Sequence, residues 1–295
     1  MQLPSNIDLP FFAYGLFKPG QLGFSQIKDY VSSHTECQIR GKLYVRDALP
    51  LADLQNTREM IKGMLLEFNT SDKSKAYRKM SDMEDGYQYK WGRIKTNHIN
   101  VEANILAGIN PSDRGEDSYF EEWDGGKDPL FNEALEAVEE ILGGGNKRDG
   151  YKCFFRLQMA YMLLWSSIER YASLRYGLWK KREIRLGELK YYTKQTRYTI
   201  ESKILMVAGE SAFKKGLSRI TRTTRTKTIR DVENPSKEHR LDVNDPVGSI
   251  RYYRQFRHNV THRGKDGYIK EFDRLQDSLE ELLGIFKEML EAAFG

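Results

Sequence analysis

The chain has 295 residues, 39% of them hydrophobic and 30% charged, with 17 Tyr, 14 Phe and a formal net charge of +5. That much aromatic and aliphatic material excludes a disordered chain, and the length suffices for one large domain or two of ordinary size. The best apolar run, Ala160 to Ile168, is broken by Ser166 and Ser167 and falls short of the roughly 20 residues a membrane span needs, so no membrane partner is expected.

The charge is unevenly divided. Residues 1–150 hold 18 Lys and Arg against 24 Asp and Glu, whereas residues 151–295 hold 29 against 18. An acidic half suits small polar substrates and a basic half suits a polyanion. Met1-Gln2-Leu3-Pro4 is not a basic segment followed by an apolar one, so no secretory signal is expected. Cys37 and Cys153 are far apart and outside any ligand spacing, which predicts neither a disulfide framework nor a cysteine zinc site and points to a reducing cytoplasm.

In chain order, the first hundred residues predict short strands. Phe11 to Phe17 is an apolar run closed by Pro19-Gly20; Gly41 to Val45 and Gly63 to Phe68 are β-prone runs opened by glycine. Lys73 to Met83 has apolar residues at helical spacing, and Arg93 to Ile99 and Val101 to Ala107 alternate on either side of Asn100. A small α+β domain over 9–108 fits this pattern. Pro111, Ser112, Gly115, Gly125 and Gly126 among many acids predict a linker over 109–129 or a long surface loop. The remainder, 130–295, is expected to be all-α. Leu130, Ala134, Val138 and Ile141 mark a helix ended by Gly143-Gly144-Gly145. Phe154 to Ile168 and Phe272 to Leu290 step by threes and fours, and a third helix is expected over about Glu183 to Phe213. From Lys214 to Arg230 the chain carries seven basic residues and no acid, and a loop follows around Pro235.

Two constellations carry chemistry. In the first half, Ala13-Tyr14-Gly15-Leu16-Phe17-Lys18-Pro19-Gly20 closes the first strand in a turn. Gly41-Lys42-Leu43-Tyr44 with Pro50 follows, then Ile61 to Phe68, then Met80-Ser81-Asp82-Met83-Glu84-Asp85-Gly86-Tyr87 with Tyr89 and Arg93. These four pieces in this order resemble the gamma-glutamylcyclotransferase-like domain, with Leu16 where many relatives have Ser or Thr and Ser81 where they often have Asp. The resemblance implies a small sheet or β-barrel with helices, Glu84 as catalytic base, and Tyr14, Gly15, Leu16, Phe17 and Tyr89 at the substrate, a γ-glutamyl-type small molecule. In such a reaction the α-amine attacks its own γ-carbonyl, forming 5-oxoproline and expelling an amine. A single carboxylate can accept the ammonium proton and return it to the leaving amine, while turn amides hold the developing oxyanion. The plain alternative is that Glu84 caps a solvated helix end and Tyr14 is a core aromatic.

In the second half, Arg254, Arg257, His258 and His262 fall within Arg251 to Gly264, with the two histidines four apart and so on one helical face. Arg257-His258 followed by three residues and His262 resembles the signature of HEPN-type helical domains. That resemblance implies a metal-independent RNA-cleaving or RNA-binding site made by two protomers, with Arg257 holding phosphate, His262 moving a proton, and Arg254 and His258 beside them. Lys214, Lys215, Arg219, Arg222, Arg225, Lys227 and Arg230 are the candidate phosphate contacts. The plain alternative makes Arg257 and His262 structural, His262 capping the helix near Gly264. The chain is thus expected to be a homodimer that needs no metal or cofactor. Two other assignments fit the residues: a metabolic γ-glutamylamine cyclotransferase with an appended dimerisation module, and a binding protein without catalysis.

Overall fold

The computed structural model describes residues 1–55, 58–84, 86–97, 100–114, 116–117, 121–144, 150–177, 200–220, 227–231, 234–263 and 269–295. The chain is mixed α/β, with its two larger sheets in the N-terminal part and a largely helical C-terminal part. It divides into two units, Met1–Asp128 with Ser173–Tyr192, and Pro129–Ala172 with Thr193–Gly295.

Phe11, Phe12 and Ala13 form β1, a strand so short and so apolar that it is buried on both faces. Around it lie β2 (Val31–Arg40), β3 (Lys42–Arg46), β4 (Leu49–Asp53), β5 (Met60–Phe68), α1 (Lys73–Met83), β6 (Tyr89–Lys95), β7 (Glu102–Gly108) and β8 (Glu116–Asp117). Five strands make one sheet in the order β2-β5-β1-β7-β6, antiparallel except where β1 runs parallel to β7; β4-β3-β8 make a second, antiparallel sheet. Ala76, Tyr77, Met80 and Met83 recur at three and four residues along α1, and that stripe packs with Phe11, Phe68 and Leu106 in one core. Tyr77 is its centre, edge-on to Phe11, Phe68 and Trp91 with ring centroids 5.3 to 6.5 Å apart.

Two expectations change here, and one strand, β2, has no counterpart among the elements expected from the sequence. The run Phe11 to Phe17 is a strand only to Ala13; Tyr14 to Phe17 are apolar because they turn inside the core. β2 has no apolar alternation, since residues 32–36 are exposed and only Cys37 and Ile39 are buried. Residues 109–129 are not a free linker. Pro111–Arg114 is one helical turn and β8 pairs with β3. The buried Trp123 donates its indole N–H to Ala48 O (3.0 Å), and Gly125 N donates to Gln21 Oε1 (2.9 Å). A lone tryptophan among acids is an anchor, and it ties the segment to the first unit.

The second unit contains α2 (Glu133–Gly143), α3 (Tyr151–Tyr176, its last residues counted in the first unit), a helical stretch at 200–207, α4 (Ser211–Arg219), α5 (Pro246–Arg263) and α6 (Ile269–Phe294). It is not all-α: β9 (Thr228–Arg230) and β10 (Glu238–Arg240) form an antiparallel ribbon around the Pro235 turn. The helix expected from Glu183 onward is described only from residue 200, and it breaks at 208–210 before α4. Leu157, Tyr161, Leu164, Trp165 and Ile168 of α3 are buried with Tyr252, Tyr253 and Phe256 of α5 and Leu275, Leu279, Leu282 and Phe286 of α6. Among the described residues no helix is long and apolar enough to cross a membrane.

Lys203 is an exception to this apolar packing. It is 6% exposed, its Nζ has no hydrogen-bond partner among the described residues, and burial pulls its pKa down to about 8. An unfolded lysine keeps its ordinary value of 10.5. Between about 8 and 10.5 the unfolded chain therefore binds more protons, and stability rises with pH through that window. Lys203→Met is expected to raise stability at pH 7 by about 1–3 kcal/mol, because it removes a poorly solvated charge. The gain should shrink as pH rises toward 10, and urea unfolding at pH 7 and pH 9.5 checks both statements. A loss of stability at pH 7 would show that the amine is engaged.

Candidate active site

α1 ends where Glu84 leaves helical geometry. Its backbone N still donates to Met80 O (3.1 Å), but its ψ of 153° swings the chain outward. The following residues do not leave Glu84 in solvent: it is 8% exposed. A carboxylate at a helix end is ordinarily hydrated, and burial this deep requires neighbours built around it.

Those neighbours are the turn after β1. Tyr14, Gly15, Leu16 and Phe17, together with Glu84 and Tyr89, line one cavity, which Pro50 and Leu106 help to close. The candidate base and the five residues expected at the substrate are thus brought to one place, drawn from the turn after β1, the end of α1 and the start of β6. The cavity is about 20 Å³, room for about one water molecule and too little for a γ-glutamyl group.

Each wall is held rigidly. The Tyr14 hydroxyl donates to Leu106 O (2.5 Å) on β7 and accepts from Ala52 N (3.2 Å) on β4. Burial pushes this hydroxyl up from its ordinary pKa, and the nearby Glu84 charge pushes it further, against the opposing pull of the Ala52 N–H. Tyr14 stays a neutral phenol across the physiological range. Tyr89 donates its hydroxyl to Pro50 O (2.9 Å). Gly15 must be glycine because a Cβ there would stand 2.8 Å from Pro50 Cγ. The turn is closed by Lys18 N donating to Gly15 O (2.9 Å). Leu16 and Phe17 bury their side chains, and among the described residues their backbone amides meet no acceptor. Two amides in a tight turn beside a buried carboxylate form a place for a carboxylate or an oxyanion.

Lys18 was not singled out from the sequence. It is buried, and its ammonium donates to Glu122 Oε1 (2.5 Å) and Trp123 O (3.1 Å), locking the turn to the segment around Trp123. Its signal was a lysine directly after an apolar run.

In the second unit, Arg254, Arg257 and His258 lie on α5, each half-buried. Arg254 pairs with Glu201. The side chain of His262 lies outside the described residues, as do Arg222 and Arg225. The other candidate phosphate contacts are mostly engaged. Lys215 and Arg219 both reach Glu288 on α6, Lys227 meets Glu281 (2.6 Å) and Asp277 (3.4 Å), and Arg230 meets Glu238 (3.4 Å). Lys214 is exposed on α4. Among the described residues no group of three His, Cys, Asp or Glu is placed to hold a metal ion.

No family model and no curated protein matches the chain. Among solved structures, that of an uncharacterized protein from Pyrococcus horikoshii is similar at 19% identity and a TM-score of 0.32, covering 39% of this chain and 90% of that one. A likeness at that score carries no weight for fold or function.

Proposed function

We propose that the first unit is a gamma-glutamylcyclotransferase-like domain acting on a γ-glutamyl-type small molecule. The supporting observation is the convergence of a buried Glu84 with the Tyr14–Phe17 turn on one cavity. In this scheme the Leu16 and Phe17 amides hold the negative oxygen, and Glu84 takes the ammonium proton and returns it to the departing amine. The test is release of 5-oxoproline from a panel of γ-glutamyl amino acids and γ-glutamylamines by the purified chain. A panel wholly unturned would leave a ligand-sensing domain or a protein without catalysis.

For the second unit we infer an RNA-directed, HEPN-like site on α5, supported by Arg257 and His258 lying half-buried on one helix between the long apolar helices α3 and α6. Because Lys215, Arg219, Lys227, Arg230 and Arg254 are engaged with carboxylates, RNA must compete with those pairs, and affinity should be modest and fall steeply with salt. Single-stranded RNA is expected to be cut with EDTA present, and Arg257→Ala is expected to abolish the cut. RNA left intact in all conditions would favour a metabolic γ-glutamylamine cyclotransferase with an appended helical module.

A further inference from the structure

Through its first turns α3 carries apolar residues on both sides. Phe154, Leu157, Ala160, Tyr161 and Leu164 are buried in the unit's core. Tyr151, Phe155 and Met159, each four residues from the next and so in one row on the opposite side, are 61%, 54% and 69% exposed. Single exposed apolar residues are ordinary on a protein surface, but a contiguous row marks a contact surface. The Tyr151 and Phe155 rings lie 6.3 Å apart and near-parallel, with 27° between their planes.

The charge beside this row is of one sign. Lys152 and Arg156 are exposed and share a side of the helix with Met159, which follows Lys152 by seven residues. From Tyr151 to Ile168 the chain has no Asp or Glu. Lys215, Arg219 and Lys227 are engaged by carboxylates of α6, whereas neither Lys152 nor Arg156 meets a carboxylate among the described residues.

We propose that this face of α3 is a stacking surface for the bases of a single-stranded nucleic acid, with Lys152 and Arg156 on its phosphates. That the strand is RNA rests on the reading of the second unit given above; the surface does not rest on cleavage at α5. Aromatic rings take the π-face of any base while neighbouring cations follow the backbone. A second copy of the chain fits less well. The three side chains together expose on the order of 350 Å², short of the roughly 800 Å² a side that a standard interface buries. Two-fold pairing of this face would also set cations against cations with no acid between them. A lipid surface would find only these three side chains to take in, because the opposite face of the helix is committed to the core.

The test is fluorescence anisotropy of the full chain with a short labelled 2′-O-methyl oligouridine, which has no free 2′-hydroxyl for cleavage, beside an abasic strand of equal length. Wild type should prefer the oligouridine about a hundredfold, and Tyr151→Ala/Phe155→Ala should remove that preference at unchanged melting temperature. Phe155→Tyr should keep it. Lys152→Gln/Arg156→Gln should weaken both strands and lower the slope of log K against log salt by about 1.4. Cleavage of unmodified RNA is followed in parallel: cutting without the base preference overturns this surface and leaves the α5 site standing, and the base preference without cutting supports this surface and removes the α5 reading. Equal affinity for the two strands, an unaltered Tyr151→Ala/Phe155→Ala variant, or no binding would overturn the surface. So would a dimer that this variant splits in light scattering, or phosphatidylserine vesicles that it no longer binds. An oligothymidine preferred about tenfold over the oligouridine would assign the face to DNA and overturn the RNA assignment.

Discussion

Glu84→Gln is expected to lower the rate of 5-oxoproline release by about 10³-fold while leaving the melting temperature within a few degrees of wild type. The amide has nearly the shape of the carboxylate, so the buried cavity between the Tyr14 turn and Tyr89 keeps its packing. What it loses is the ability to take the proton from the substrate ammonium, freeing the amine to attack, and to return it to the departing amine, a role generally worth about 10²–10⁴ in rate. Substrate affinity should change less than turnover, because the turn amides are untouched. Glu84→Asp is informative beside it: the shortened side chain retreats from the cavity and should restore only part of the rate. Full turnover by Glu84→Gln would remove Glu84 from the chemistry altogether.

Gly63→Ala is expected to destabilise the first unit by about 2–4 kcal/mol, a fall in melting temperature on the order of 10 °C. Gly63 lies on β5 beside β1, and a Cβ there would stand 2.5 Å from Ala13 O and 2.7 Å from Phe12 Cζ. The first is backbone, so the two strands must part. Ala13 is the last residue of β1, immediately before Tyr14, and any displacement passes directly into the turn that lines the cavity. The surviving folded fraction should therefore show reduced activity as well as reduced stability. Thermal unfolding by circular dichroism with a parallel activity assay checks both; an alanine variant as stable as wild type would show that β1 and β5 have slack that this geometry denies.

The sequence was most informative where one face of an element is buried. The apolar spacing over Lys73 to Met83 matches α1 residue for residue, and the stripes of α3 and α6 are plain for the same reason. β2 was missed because its first half is exposed on both faces, and two buried residues, Cys37 and Ile39, are too few to show a two-residue rhythm. For 109–129 composition left linker and surface loop open, because its glycines and acids outnumber the single Trp123 that anchors it to the first unit. At the site, residue types and their order suggested Glu84 and the Tyr14–Phe17 turn, but their convergence depends on strand order, which brings β1 between β5 and β7. The basic stretch shows the opposite failing. Lys215, Arg219 and Lys227 stand out along the chain as a run of cations, yet their carboxylate partners come from α6, some fifty to seventy residues onward, where no local window could pair them.

The polar edge of β2 also bears on how the molecule behaves at high concentration. Asn97 caps the outer edge of β2 at Gln38, accepting from Gln38 N (2.7 Å) and donating to Gln38 O (3.0 Å), but an edge strand of ten residues is still a template for another copy's strand over its first half. Here Ser32, Ser33, His34, Thr35 and Glu36 are all exposed, so an added strand would gain backbone bonds but bury almost no apolar surface. In an in-register stack, copies of Glu36 would also lie against one another, and each added layer would meet like charge. β2 is therefore a poor seed for cross-β growth despite its length, and replacing Ser33 and Thr35 with valine would supply the apolar stripe that fibre formation requires.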